Sequence, residues 1–205
     1  MKAVTLGLTL ALALSPLAGC KIVKTERAAT GDPDAALIAG VVSDTFDSKL
    51  VPLVTDKAVE ATALLPLTDL DAVGAAHGQR GKGEGGSWTF AIKGEGKVVS
   101  EDRKSRAGKL AVDVDADGRP DLTLQIGPVT KGTALRDIAP FYDFTAFRDQ
   151  IQFAQLGRAL NDRAVGALAL PDSLTGKTLH FLGAFSVQKG TDPVLVVPLS
   201  VEVQP

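Results

Sequence analysis

Cysteine is nearly absent: Cys20 is the only one in 205 residues. No internal disulfide can form, and no thiolate pair can hold zinc. Histidine is almost as scarce. His77 and His180 have no companion at ligand spacing, which argues against a histidine-based metal site. Trp88 and Tyr142 are the single tryptophan and tyrosine, so a stacking platform for bases or sugars is thin. Basic residues are not in excess: 22 Lys and Arg face 24 Asp and Glu. That balance argues against a nucleic-acid partner. The sequence carries neither G-x-S-x-G nor a Walker A run.

The amino terminus is richer. Lys2 gives a positive start, and Ala3 to Leu14 is apolar apart from Thr5, Gly7 and Thr9. This run is too short to span a bilayer, which takes about 20 residues, and has the pattern of a signal peptide. Leu17-Ala18-Gly19-Cys20 follows and resembles the lipobox of bacterial lipoproteins. Small residues at 18 and 19 admit a peptidase, and the Cys20 thiol would accept a diacylglycerol. The expected segments are a signal peptide at 1–19 and a lipidated tether at 20–31. Acyl chains bury about 0.8 kcal/mol per CH₂, so two or three hold firmly. Lys21, rather than Asp, follows the cysteine. By resemblance to the sorting rule of two-membrane bacteria, that favours the outer membrane over the inner one. Cleavage removes Lys2 and no acid, so the formal charge moves from −2 to −3.

The mature chain changes character twice. Asp32-Pro33 reads as a helix start, with Asp32 as cap. Ile38, Val42, Phe46 and Leu50 continue at spacing four. Pro52 interrupts or restarts the helix, and Thr68 is placed to cap a short helix ending near Gly78. Residues 32–78 therefore form a helical preface. Gly81, Gly83 and Gly86 match G-x-G-x-x-G, but a dinucleotide site needs that run after a strand and opening a helix. Here it precedes a strand and reads as a linker.

From Ser87 the period becomes two. Trp88, Phe90 and Ile92 alternate, and Gly94 and Gly96 mark a bend before Val98. Leu110, Val112 and Val114 form a second strand, and Leu122, Leu124 and Ile126 a third. Residues 143–167 read as a helix, with Phe153, Leu156, Leu160 and Ala164 as its stripe. Leu179, Phe181, Phe185 and Val187 form a fourth strand, and Leu195 to Val203 a fifth. The class is α+β. The order β-β-β-α-β-β over 79–205 resembles the OB-fold, a five-stranded barrel with its connecting helix plugging one end. The alternative is an α+β sandwich with an open sheet.

Five segments carry a wider resemblance: LAGCKIV, SWTFAIKGEGKVVS, AVDVDADGRPDLTLQIGPVTKGTALRD, QIQFAQLGRALNDRAV and GKTLHFLGAF. Together they resemble the predicted periplasmic lipoprotein family of unknown function. The resemblance implies a periplasmic, lipid-anchored protein of the cell envelope. It also implies a gene neighbourhood of sugar-uptake ABC transporters. Expected partners are the membrane, through lipid on Cys20, and an ABC-transporter component or solute-binding protein. The family supplies no catalytic residues.

Two constellations stand out. Asp113, Asp115, Asp117 and Asp121 sit at positions 1, 3, 5 and 9 around Gly118 at position 6, much as in a calcium loop. The Arg119 carbonyl would supply position 7. Position 12 is Leu124, so the bidentate glutamate is missing. The competing reading is a polar hairpin tip in which Asp and Gly serve the turn alone. No cofactor is required, and calcium would be structural. Arg136-Asp137 is the candidate binding pair, set on a loop beside the barrel where it would meet a partner or ligand; the bland reading is a surface ion pair. Asn161, Asp162 and Arg163 suit the end of a helix. Three functions remain: a non-enzymatic binding or accessory module tied to sugar uptake, a structural or assembly protein, and an envelope hydrolase. The last needs a deep pocket gathering Asp137, His180 or Arg163.

Overall fold

Asp32 and Pro33 begin the first helix as their chemistry dictates. The Asp32 carboxylate accepts the Asp34 N–H, and Pro33 takes the first turn, where its missing N–H costs nothing. The structure, a computed structural model, describes residues 32–81 and 86–204. The signal segment, Cys20, the tether and Gly83 lie outside the described residues.

Helix α1 spans Pro33–Thr45, and α2 spans Val51–Lys57. A π-helical turn, Phe46–Leu50, joins them. Its cause is Pro52, which has no N–H to give and whose ring crowds the carbonyl four residues back, so the helical ladder loosens there. The apolar stripe survives: Ile38, Val42, Phe46 and Leu50 are all buried. Strand β1 is Val59–Glu60, α3 is Ala61–Leu64, α4 is Leu70–His77 and β2 is Gln79–Arg80. Asp69, not Thr68, caps α4 by accepting the Ala72 N–H.

Five strands close a ring: β3 (Trp88–Asp102), β4 (Lys109–Asp113), β5 (Leu122–Gln125), β6 (Thr178–Val187) and β7 (Leu195–Val203). The long β3 makes closure possible. It pairs with β6 along Trp88–Lys97 and with β4 along Lys97–Asp102. The remaining neighbours are β4–β5, β5–β7 and β7–β6, so the path returns to its start. The β5–β7 pairing is parallel and brief, Thr123 to Leu195 and Leu124 to Val196. The preface joins in, since β1 pairs with β3 in parallel and β2 pairs with its first residues. At Gly183 the β6–β7 register shifts. A Cβ there would lie 2.5 Å from the Val197 carbonyl oxygen, so only glycine admits the approach.

Alternation along the strands makes two cores. Phe90, Ile92, Leu110, Leu124, Phe185 and Val196 face the ring interior. Ala91, Ala184 and Val197 face outward, onto the helices. Those helices are α1, α2, α5 (Ala134–Asp137) and α6 (Gln150–Gly166). The connecting helix α6 therefore lies against the outside of the ring and does not plug it. Leu64, Leu67 and Leu174 pack into the interior core instead. Helix α6 also starts later than its pattern suggests. Asp143 caps only a 3-10 turn, Phe144–Ala146, and Asp149 caps α6 through the Gln152 N–H.

Helices α1 and α6 run side by side in the same direction. Asp34 binds Arg148 at 2.7 Å and Gln152 at 3.0 Å near their starts. Asp47 binds Arg163 at 2.9 Å near their ends.

Candidate functional site

The loop from β4 to β5 is held by its own carboxylates. Asp113, at the end of β4 and only 5% exposed, accepts the N–H of Ala116 at 2.7 Å and of Gly118 at 2.8 Å. Asp115 accepts from the Asp117 N–H, and Asp121 from the Val114 N–H. Gly118 has φ +86° and Ala116 φ +66°, so the chain turns through the left-handed region twice. Asp117 accepts the Arg119 N–H and forms a two-pronged pair with its guanidinium, at 2.9 and 2.6 Å. The Arg119 side-chain hydrogen bond holds the Asp117 carboxyl below the usual range.

Oxygens of Asp113, Asp115 and Asp117 lie within 4.8 Å of one another. These hard oxygens are the donor type calcium takes. Asp121 turns back onto the Val114 amide and is not one of that trio. Arg119 holds Asp117 in the place a cation would compete for.

Two hollows flank this loop. The larger, about 800 Å³, runs along the bend of β3, and Glu60, Glu95, Lys97, Val99, Asp113 and Thr175 are among its lining. The smaller, about 640 Å³, is bordered by Asp115, Asp117, Arg119, Asp121, Asp192 and Leu67. The sequence did not single out Glu60, Glu95, Lys97 or Thr175. Glu60 arrives there because β1 pairs beside β3, and Thr175 because the Gly176 N–H bonds to the Val98 carbonyl oxygen, neither of which a local pattern announces; the glycines at 94 and 96 are the one signal of a sharp approach there.

Arg136 and Asp137 differ from the expectation. Their side chains are only 14% and 30% exposed. The Arg136 guanidinium lies 4.0 Å over the Phe153 ring and donates to the Phe153 carbonyl oxygen and to Thr133 Oγ1. It also pairs with Asp137 at 2.7 Å, and Asp137 accepts from the Thr133 hydroxyl. The pair clasps α5 to α6 instead of projecting to a partner. The reason is the proximity of Phe153, whose flat face draws the guanidinium inward.

The remaining candidates are dispersed. Asp137 sits in that clasp, Arg163 pairs with Asp47, and His180 lies beside Glu95 and Gln204. None of the three borders either hollow. Asn161 is buried, and its amide donates to Thr130 and to the Gly132 carbonyl, fixing the segment before α5. Among the described residues no helix is long and apolar enough to cross a membrane.

A closed five-stranded ring with a helix between its third and fourth strands defines an OB-fold-like domain. It is similar to an OB-fold protein from Thermotoga maritima, with TM-score 0.59 and 16% identity, covering 84% of this chain and 98% of that one. At that identity the likeness speaks for the fold alone. The chain belongs to the predicted periplasmic lipoprotein family (DUF2291), whose model matches residues 10–202. A comparison with curated proteins finds no match.

Proposed function

We propose that this periplasmic lipoprotein is a non-enzymatic binding or accessory module for sugar-uptake transport, held by lipid on Cys20 to the outer membrane. The groove along the bend of β3 carries the reading. It is roomy, about 800 Å³, and its edges offer carboxylates, an ammonium group and hydroxyls. Such a lining suits the hydroxyls of a solute or the polar loop of a partner protein. A hydrolase is disfavoured because Asp137, His180 and Arg163 are spent in three separate places.

Crosslinking the lipidated protein in cells, followed by mass spectrometry, tests the role. A transporter component or solute-binding protein should dominate the products. Recovery of abundant envelope proteins alone would overturn the transporter link.

Calcium in the acidic loop belongs to the same proposal as a structural ion, held by Asp113, Asp115, Asp117 and the Arg119 carbonyl, with Asp121 nearby. The support is the shared oxygen cluster. Millimolar calcium should then raise the melting temperature above that in chelator. Identical melts would remove the ion and leave a hydrogen-bonded turn.

A further inference from the structure

The ring interior and the helical layer have separate cores, and at the carboxyl-terminal end of α6 the seam between them is open. Two hollows there, about 290 and 390 Å³, share Ile126, Pro128 and Val165 as a common wall. Leu168 and Leu170 extend the apolar lining of the smaller one. Val165 packs on the helical core, whereas Ile126, Leu168 and Leu170 pack on the ring interior. All four are half-buried, so the seam offers apolar surface to solvent from a concave site. Neither hollow shares a lining residue with the two beside the acidic loop.

One wall of the smaller hollow is the loop from β3 to β4, and that loop is basic. Arg103, Lys104 and Arg106 lie on it and Lys109 at its end, in a chain whose acids outnumber its bases. Arg103 lines the hollow, with its Nε 3.4 Å from Glu101. The Lys104 and Arg106 side chains are exposed and make no ion pair or hydrogen bond among the described residues. The neighbouring acids are engaged with the backbone: Asp102 accepts the N–H groups of Lys104 and Ser105, and Glu101 accepts the Leu174 N–H. The loop is also fixed in place. The Gly108 carbonyl oxygen accepts the Ile126 N–H, and the Arg106 carbonyl oxygen accepts the Val129 N–H. A Cβ at Gly127 would collide with the Gly108 nitrogen, so the two segments touch backbone to backbone. Asp162 is the one carboxylate on either lining, and it borders the larger hollow alone.

We infer that this seam binds an anionic amphiphile, an acid group on a short hydrocarbon stem. The stem lies along Ile126, Pro128 and Val165 and removes their apolar surface from water. The acid group meets Arg103, Lys104 and Arg106, two of which have no other partner. Asp162 repels it from the larger hollow and so sets the direction in which the ligand lies. The recess itself argues against a flat bilayer as the occupant. A lipid surface takes apolar side chains that protrude, and these line a concavity. The site goes beyond the groove along β3 and does not depend on it.

Equilibrium dialysis of radiolabelled octanoate against the full chain in phosphatidylcholine vesicles tests this, with empty vesicles as the blank. Octanoate should bind saturably at a single site per chain. Acetate has the charge without the stem, and octylammonium has the stem with the opposite charge. Neither should displace octanoate, even in large excess. Lys104→Glu/Arg106→Glu should weaken octanoate binding by about tenfold or more. Lys57→Glu/Arg158→Glu changes the net charge equally, at exposed side chains away from the seam, and should leave the affinity unchanged. All four side chains are exposed and make no ion pair among the described residues, so both double variants should keep the wild-type melting temperature. Uptake no greater than in empty vesicles, displacement by octylammonium, or equal affinity in the two double variants would overturn the site.

Discussion

Two charged clusters, the acidic loop at 113–121 and the Arg136–Asp137 clasp, make opposite use of their ions. The loop gathers four carboxylates, with Asp113 buried at its base, and one guanidinium, bordering both hollows. Its acids work mainly on backbone amides. The clasp turns one guanidinium inward onto an aromatic ring and a carbonyl. The first cluster shapes a rim beside the two hollows. The second fastens two helices together. A charge tells little about role until the nearest apolar surface is known: Phe153 draws Arg136 in, whereas Arg119 finds only its acidic neighbours.

The sharpest way to break this contrast is to remove Arg136. Arg136→Ala deletes a ring contact, two hydrogen bonds and a half-buried ion pair, and should cost about 2–3 kcal/mol. Urea unfolding measures it, and a loss below about 0.5 kcal/mol would mean the clasp is ornamental. Asp113→Ala should cost less, about 1–2 kcal/mol, because two loop amides lose their acceptor while water reaches part of the loop. The same variant should weaken crosslinking at the groove, which Arg136→Ala should leave intact wherever the protein stays folded. Arg163→Ala is the control for an exposed guanidinium. It pairs with Asp47 at 54% and 70% exposure and should change stability by about 1 kcal/mol or less.

Acid should weaken the carboxylates that hydrogen bonds hold in the charged form. Hydrogen bonds from the Arg119 side chain lower the Asp117 carboxyl, and backbone amides of Gln152, Lys189 and Leu174 do the same for Asp149, Asp192 and Glu101. A carboxyl lowered in the folded state adds stability above its unfolded value, and that stability is lost as pH falls through the folded one. The melting temperature should therefore hold down to about pH 5 and fall below about pH 4. A melting temperature that rises on acidification would contradict these assignments.

Much of the ring was legible because alternation and glycine position are local signals. Phe90, Ile92, Leu110 and Leu124 point inward as their spacing requires. The stripe from Ile38 to Leu50 reached the core despite the π-turn, which keeps its residues on one side. The late start of α6 was less legible, since Asp143 and Asp149 are both competent caps. Phe147 decides between them: it is buried against the helical core in an extended conformation, and the helix waits until it has passed. The acidic loop announced itself by spacing. The groove did not, because β1 pairs with β3 across a sequence gap and sets Glu60 opposite Lys93, on the same strand as Lys97. The inward turn of Arg136 was hidden for a related reason, as its partner Phe153 is 17 residues away on another helix.

The most direct test of the groove is a photo-crosslinking residue at Val99, on its lining, compared with one at Arg158, on the exposed side of α6. A groove that binds should give a discrete partner adduct at 99 and none at 158, in cells carrying the lipidated chain. Equal products at both positions, or an adduct at 158 alone, would contradict a binding role for the groove.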